Sequence, residues 1–163
     1  MIRDAAPGDL PQIVAIYNAS IPARMATADL APVSVEDRRG WFADFDPARR
    51  PLWVFERAGE APPLGWLSLR SFYGRPAYAE TVEVGIYIHP SAQRQGIGRH
   101  LLDHAFARAP ALGIRTLLAF TFAHNAPSVQ LFRSSGFATW GTLPGVARLD
   151  GLLRDLLILG CTL

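Results

Sequence analysis

The sequence predicts a mixed α/β domain of the α+β kind, in which one sheet is flanked by helices. Residues 81–88 alternate between apolar and small or polar side chains, which is the period of a strand. The next segment carries apolar residues at helical spacing, and strands and helices continue to alternate through the second half of the chain. At 163 residues, the chain has the size of a single domain spanning residues 1–163.

Seven segments have the composition of strands. In chain order they lie at residues 1–4, 52–56, 64–69, 81–88, 115–122, 137–142 and 153–162. The turn between the second and third contains Gly59, Pro62 and Pro63, which predicts an antiparallel hairpin. A loop rich in aromatic residues, 71–79, leads into the central strand.

Four helices are predicted from apolar periodicity and from end signals. The first follows Asp9, which is expected to cap it, and the others lie at residues 36–45, 97–109 and 125–135. Pro110 ends the third helix, and Pro127 is tolerated in the first turn of the fourth. Residues 20–35, between the first two helices, have little periodicity and are predicted to form a loop.

Composition excludes several classes of function. The net charge is +2 and the sixteen basic residues are scattered arginines, whereas nucleic-acid binding needs a denser basic face. No apolar run approaches the roughly 20 residues of a membrane span, and the first residues lack the apolar core of a secretory signal. Cys161 is the single cysteine, so no internal disulfide can form, and we expect a cytoplasmic protein.

A glycine turn separates the central strand from the third helix. Residues 93–98 read Gln-Arg-Gln-Gly-Ile-Gly, and the first N–H groups of a helix favour anions. Gly96 and Gly98 carry no Cβ, so a phosphate could approach the backbone closely, while Arg94 and Arg99 could neutralise its charge. The alternative is a turn in which the glycines serve conformation alone.

Two motifs resemble the acetyl-CoA-binding core of the GNAT superfamily of N-acetyltransferases. The first is Ile86-Tyr87-Ile88-His89-Pro90-x-x-Gln93-Arg94-x-Gly96-x-Gly98, and the second is Asn125-Ala-Pro-Ser128-x-x-Leu131-Phe132-x-x-x-Gly136-Phe137. The resemblance implies a central, mostly antiparallel twisted sheet that is splayed at its middle strands and flanked by helices. It also implies acetyl-CoA as the co-substrate.

By this resemblance, backbone groups make up most of the donor site. Tyr87 and Ile88 would bind the pantetheine arm, the glycine turn would hold the pyrophosphate, and Asn125 would bond the arm, cap a helix, or do both. The implied cofactor-binding residues are Tyr87, Ile88, Gln93, Arg94, Gln95, Gly96, Ile97, Gly98, Arg99, Asn125, Ser128 and Phe132.

A finer resemblance links the chain to the phosphinothricin acetyltransferase subfamily. It is carried by the segments around residues 15–18 and 81–83, by Arg75 and Tyr78, and by the run 125–131. That subfamily acetylates the α-amino group of phosphinothricin, and its relatives act on methionine sulfoximine or methionine sulfone. Many members dimerise, so a homodimer is expected here.

Glu83 is the candidate catalytic residue. An ammonium group cannot attack a thioester, so a base must first remove a proton from it. Strand alternation places Thr81, Glu83, Gly85 and Tyr87 on one face, and Gly85 leaves that face open beside the carboxylate. Glu83 also matches the base proposed for the subfamily. The alternative is a carboxylate held in a structural salt bridge.

The acceptor side is less well defined. Arg75 matches a subfamily arginine that can bind an amino-acid carboxylate, or it is a solvated loop residue. Tyr78 and Phe72 could line the pocket or pack under the loop. The chain departs from the subfamily at Ala28, where an aromatic residue is usual, and at residues 147–151.

Two further features bear on the chemistry. Phe132 stands where many superfamily members have a tyrosine that protonates the leaving thiolate, and phenylalanine cannot do this. His100 and His104 are four residues apart on a helix, but the sequence offers no clear third ligand, so no metal is expected. The alternative functions are acetylation of another small amine, an antibiotic or a peptide N-terminus, and a non-catalytic CoA-binding domain.

Overall fold

The fold comes from a computed structural model that describes residues 1–57 and 62–163. Within those residues the strands are β1 (Ile2–Asp4), β2 (Leu52–Phe55), β3 (Gly65–Ser71), β4 (Thr81–Ile88), β5 (Thr116–Phe122), β6 (Ala138–Leu149) and β7 (Leu152–Thr162). The helices are α1 (Leu10–Ser20), α2 (Val35–Ala43), α3 (Ile97–Arg108) and α4 (Ala126–Ser134).

The seven strands form one sheet in the order β1-β2-β3-β4-β5-β7-β6. All neighbouring pairs are antiparallel except β4 and β5, which run parallel. This parallel pair is joined only at its start, from Thr81↔Thr116 to Glu83↔Leu118, although β4 continues for five more residues. The middle strands therefore splay apart, and the predicted mostly antiparallel sheet with helices around it is confirmed.

Apolar side chains fill both faces of the sheet. On one face, Leu101 and Leu102 of α3 are fully buried against Leu67 and Val82 of the central strands. On the other face, Ile13 and Ile16 of α1 pack on Val54 and Trp66, and Trp41 of α2 covers their edge. The two layers hold β3 and β4 rigidly from both sides, so β4 offers a fixed platform for a site.

Two local predictions were wrong. Asp9 occupies the N-cap position of α1 as predicted, but it makes no side-chain capping bond there; its carboxylate instead accepts from the Arg3 guanidinium at 2.7 and 3.0 Å and from the Ala6 N–H at 2.8 Å. That ion pair holds the pKa of Asp9 below its usual range. Strand β6 extends through Leu149, seven residues beyond the predicted end, because register shifts let an edge strand accommodate residues 144–146.

The expected hairpin of β2 and β3 is confirmed by its antiparallel register, Leu52↔Ser68 to Phe55↔Gly65. Gly59, one of the three residues predicted to form its turn, lies outside the described residues. Among the helices that the structure describes, none is both long enough and apolar enough to cross a bilayer.

Candidate active site

The gap between β4 and β5 is lined by backbone groups. The carbonyl of Glu80 accepts from Thr116 N–H at 3.0 Å on the β5 side, whereas that of Thr81 accepts from Phe72 N–H at 3.3 Å on the β3 side. Because backbone groups alternate along a strand, the even-numbered residues of β4 face β5. Past the last pair, the groups that face the widened gap without a ladder bond are the Val84 carbonyl, both groups of Ile86 and the Ile88 N–H. Such a row of free groups is suited to an extended amide-containing chain.

The glycine turn ends at the N-terminus of α3. Arg94 has φ 59° and Gly96 has φ 80°, both left-handed conformations, and the latter is the N-cap residue. No side chain of the described residues caps this helix, and its first internal bond runs from His100 N–H to the Gly96 carbonyl at 3.0 Å. The N–H groups of residues 97–99 are therefore directed outward, where an anion would be stabilised.

Packing between helices leaves little room for a side chain at Gly98. A Cβ built at this position would lie 2.9 Å from Leu131 Cδ2 of α4 and 3.8 Å from Ile86 Cδ1 of β4. At Gly96, by contrast, a Cβ would meet nothing within 4 Å, and the positive φ is what favours glycine. Glycine is therefore favoured at the two positions for different physical reasons: at Gly98 it brings α3 close to α4, and at Gly96 it allows the chain to turn.

Side chains around the turn are held by local bonds. Gln95 donates to the Ser91 carbonyl at 3.0 Å and bonds Arg57, and Gln93 donates to the Ile88 carbonyl at 3.5 Å. Arg99 is occupied by Asp103 at 2.8 Å and by the Ser134 carbonyl at 2.9 Å. Arg94 is exposed, and no bond of its guanidinium to another described residue is found. Arg94 is thus the cation at this turn that is free to meet an anion.

Helix α4 begins at the second motif. The side-chain oxygen of Asn125 accepts from Ser128 N–H at 3.2 Å, so Asn125 caps the helix. Its amide nitrogen donates to the Met25 carbonyl at 3.0 Å. Phe132, farther along α4, is 2% exposed and packs edge-to-face on Phe137 at 5.0 Å. A hydroxyl at that position would therefore lie in the core between α3 and α4.

Glu83 stands at the point where β4 and β5 separate, because Glu83↔Leu118 is their last pair. Its half-buried side chain is directed to the α1 and α2 face by the same alternation that directs Tyr87 there. Arg70 lies opposite it in the β3 ladder, yet no hydrogen bond or ion pair to Glu83 occurs among the described residues. The carboxylate is therefore free to exchange a proton with a bound molecule.

Gly85 lies on the same face of β4 as Glu83. A Cβ there would lie 2.8 Å from the Ser68 hydroxyl of β3, so residue 85 has no room for a side chain. Ser68 is itself buried. Glycine at this position lets the Ser68 hydroxyl pack directly against the backbone of β4 next to the carboxylate.

Arg75 and its neighbours form the aromatic loop that precedes β4. Phe72 packs on Tyr78 at 5.4 Å and stacks on Phe120 of β5 at 6.5 Å. Arg75 begins a single helical turn, residues 76–78, and its exposed guanidinium makes no bond to any described residue. The loop therefore lies along β5 beside the splay and presents one free arginine.

The segment between α1 and α2 contributes contacts that sequence reasoning missed. The carbonyls of Arg24, Met25 and Ala26 accept from His124 Nε2 at 2.8 Å, from Asn125 Nδ2 at 3.0 Å and from the Tyr87 hydroxyl at 3.2 Å. Backbone carbonyls carry no sequence signal, so only the positions of the three donors could have indicated this arrangement. Tyr87 thereby directs its hydroxyl to residues 24–26 on the α1 and α2 face, while its backbone pairs with Trp66 of β3.

The histidine pair on α3 packs against aromatic rings of β2. His104 meets Trp53 edge-to-face at 4.7 Å, and His100 stacks on Phe55 at 6.2 Å. Burial lowers the pKa of His104, and Arg108 lowers it further. No cluster of three metal-ligating side chains occurs among residues 1–57 and 62–163.

The family model for the acetyltransferase (GNAT) family matches residues 13–137. The chain therefore belongs to that family. The match spans β4, the splay, the glycine turn and α4, which together carry the geometry described above.

Two named relatives indicate which kind of acetyltransferase this chain is similar to. The chain is 49% identical over 159 residues, covering 98% of this chain and 96% of the relative, to YwnH of Bacillus subtilis, whose name assigns it provisionally to the phosphinothricin acetyltransferases. It is 33% identical to an L-methionine sulfoximine/L-methionine sulfone acetyltransferase of Pseudomonas aeruginosa, covering 95% and 90% of the two chains.

A solved structure places a donor in this fold. A GNAT superfamily phosphinothricin acetyltransferase of Sinorhizobium meliloti in complex with acetyl-CoA superimposes with a TM-score of 0.92 at 29% identity, covering 100% of this chain and 88% of that one. The protein is thus an acetyltransferase that uses acetyl-CoA, and the predicted superfamily, enzyme class and co-substrate are confirmed.

Proposed function

We propose that this enzyme transfers the acetyl group of acetyl-CoA to the α-amino group of a small amino-acid-like acceptor of the phosphinothricin, methionine sulfone or methionine sulfoximine type. One observation carries the proposal: the carboxylate of Glu83, which makes no bond to another described residue, lies where the central strands separate, on the α1 and α2 face of β4. The names of the relatives supply the acceptor type.

The donor is expected to enter through the splay. Its pantetheine amides would pair with the backbone groups of Ile86 and with the Ile88 N–H, and its pyrophosphate would meet the N–H groups at the start of α3. Arg94 would add charge, because its guanidinium is exposed beside the turn. The acetyl group would then reach the side of the sheet on which Glu83 stands.

The reaction needs one base and one oxyanion donor. Glu83 takes a proton from the acceptor ammonium, directly or through a water, and the free amine attacks the thioester carbonyl carbon. A backbone N–H of β4 at the splay stabilises the tetrahedral oxyanion. The carbon–sulfur bond then breaks and the attacking nitrogen gives its second proton to solvent. The CoA thiolate takes a proton from water or leaves as the anion, since Phe132 has none to give.

Arg75 is assigned to the acceptor carboxylate. Its guanidinium is exposed and unbonded within the described residues, and its loop packs through Phe72 on β5 next to the splay. A planar guanidinium can hold a carboxylate through two parallel bonds. Tyr78 and Phe72 would form the apolar wall of the same pocket.

We further propose a cytoplasmic homodimer. Exposed apolar side chains concentrate on the hairpin of β6 and β7, where Leu143, Val146, Leu152 and Leu153 are between 40% and 58% exposed. Such a patch on a terminal hairpin is suited to burial against a second copy. Sedimentation of the pure protein at several concentrations tests this, and a monomer at all of them overturns it.

The function is tested by thioester consumption with a panel of amines. We expect the fastest turnover with methionine sulfone, methionine sulfoximine or phosphinothricin. Faster turnover with an aminoglycoside or a peptide N-terminus would replace the acceptor assignment. Binding of CoA with no turnover of any amine would favour a non-catalytic CoA-binding domain and overturn the proposal.

A further inference from the structure

Residues 24–26 bridge the two strands that splay. Tyr87, which bonds the Ala26 carbonyl, is near the end of β4, whereas His124 and Asn125, which bond the carbonyls of Arg24 and Met25, lie just past the end of β5. At this level β4 and β5 share no ladder bonds. Three consecutive carbonyls are thus held by side chains from both sides of the gap.

We propose that residues 24–26 form a strap across the acceptor-side mouth of this gap, and that Tyr87, His124 and Asn125 are positioning residues that set acceptor affinity through it. The inference rests on the proposed function. It assigns the Asn125 amide and the Tyr87 hydroxyl to the acceptor loop, whereas the family resemblance places both residues at the cofactor.

The strap is held in a strained conformation. Arg24 has φ 54°, which costs a non-glycine residue energy unless its surroundings fix it. Its side chain is anchored to Asp150 at 2.9 Å and to the Leu30 carbonyl at 3.1 Å, so the β6–β7 turn helps to hold it. Two tertiary anchors and a strained backbone turn together make the strap one defined arrangement.

The chemistry of the three donors fits three carbonyl acceptors. Burial raises the pKa of the Tyr87 phenol, so the hydroxyl keeps its proton and donates. The carbonyl of Arg24 can only accept, so Nε2 of His124 carries a proton. The oxygen of Asn125 is used by Ser128 N–H, which directs its NH₂ group to Met25. Each of the three bonds to the carbonyls of residues 24–26 therefore runs from a side chain to the backbone.

Two substitutions remove single strap bonds with little other change. Tyr87→Phe removes the hydroxyl and keeps the ring, which stacks on Trp66 at 4.6 Å. Asn125→Ser keeps an oxygen that can cap α4 through Ser128 N–H and removes the group that bonds Met25. The loss of one such bond is expected to raise the acceptor KM about three- to tenfold, with the acetyl-CoA KM within about twofold of wild type.

A second measurement needs no turnover. Trypsin cleavage after Arg24 requires that the strap leave its bound conformation, so both variants should be cut there at least about threefold faster than wild type. Tyr73→Phe is the matched control, since it removes an exposed hydroxyl that makes no bond to a described residue. Cleavage at Arg24 should be unchanged in that variant.

The outcomes separate the two proposals. A raised acetyl-CoA KM with an unchanged acceptor KM and unchanged cleavage would make Asn125 a cofactor contact and overturn the strap. If wild type acetylates no amine of the panel, the proposed function fails, while the cleavage rates of Tyr87→Phe and Asn125→Ser still decide whether the strap exists. Unchanged cleavage in both variants overturns it whatever the kinetics.

Discussion

The donor side and the acceptor side of this molecule are built from different materials. The proposed donor side consists of backbone groups on regular elements: the part of β4 beyond its last pair with β5 and the first turn of α3. The proposed acceptor side consists of loops: Arg75 offers its side chain from one loop, and residues 24–26 lie on another, where side chains of β4 and of the segment after β5 hold their carbonyls. A site made of backbone groups keeps its geometry when side chains change, whereas a site on loops changes with the loop sequence. The same donor site can therefore be combined with different acceptor sites.

The largest effect on activity is expected at Glu83, which lies where the proposed donor and acceptor sides meet. Glu83→Gln keeps the shape of the side chain and removes its basicity, so kcat should fall by about 10²–10⁴-fold. Donor binding should be unchanged, because no backbone group of the donor side is altered. The measurement is steady-state turnover of methionine sulfone, with calorimetric titration of CoA as the control.

The loss of kcat in Glu83→Gln should depend on pH in a defined direction. At low pH the acceptor amine is mostly protonated and needs the base, so the loss should be largest there. At high pH the free amine is abundant and the Glu83→Gln variant should partly recover. If its pH–rate profile overlays that of wild type, Glu83 is structural, and the base is a water chain or another residue.

A smaller effect is expected at the acceptor alone. Arg75→Ala should raise the acceptor KM by about tenfold or more and leave the acetyl-CoA KM unchanged, because a charged bidentate contact would be lost on one side only. The matched comparison uses an amine that lacks the carboxylate, whose KM should not respond. An equal rise for both amines removes the reason for assigning Arg75 to a carboxylate.

A similar or smaller effect is expected at the donor alone. Arg94→Glu reverses a cation at the glycine turn that makes no bond to another described residue, and it should weaken CoA binding about tenfold, or about 1.4 kcal/mol. Arg108→Glu, at the far end of α3, changes net charge by the same amount and is the control for calorimetry. Equal losses in both variants would show a general field effect in place of a contact at the turn.

Most of the fold could be predicted because its signals are local. The bounds of β4 are those predicted from alternation, and the helix ends at α3 and α4 shifted by one residue. The misses came from interactions between distant segments. Asp9 was assigned to a helix cap, yet Arg3 and Glu56 form an ion-pair cluster with it that no local pattern reveals.

The candidate site divides in the same way. The glycine turn was predictable because a strand, two glycines and a helix are adjacent in sequence. The strap was not, because Met25 and Asn125 are 100 residues apart and the acceptor atom is a carbonyl that every residue has. The role of Gly98 was also hidden, since its neighbour Leu131 lies on another helix.

The smallest effect is expected at Gly98, where a substitution tests whether this glycine serves helix packing or phosphate binding. Gly98→Ala puts a Cβ 2.9 Å from Leu131 Cδ2, which is the end of a flexible side chain that can move at modest cost. Alanine also gains up to about 1 kcal/mol of helix propensity. The net loss of stability should therefore be about 1 kcal/mol, a fall in Tm of roughly 2–4 °C, with CoA affinity nearly unchanged.

Because the cost comes from the contact with Leu131, changing Leu131 should reverse the sign of the stability change caused by Gly98→Ala. In a Leu131→Ala background the clash is gone, so Gly98→Ala should now raise the Tm by its helix propensity alone. The double-mutant cycle, measured by thermal unfolding, should return a coupling energy of about 1–2 kcal/mol between the two positions. If Gly98→Ala instead weakens CoA binding tenfold in both backgrounds, the glycine serves the approach of the phosphate. The donor side would then depend on a missing side chain as well as on its backbone.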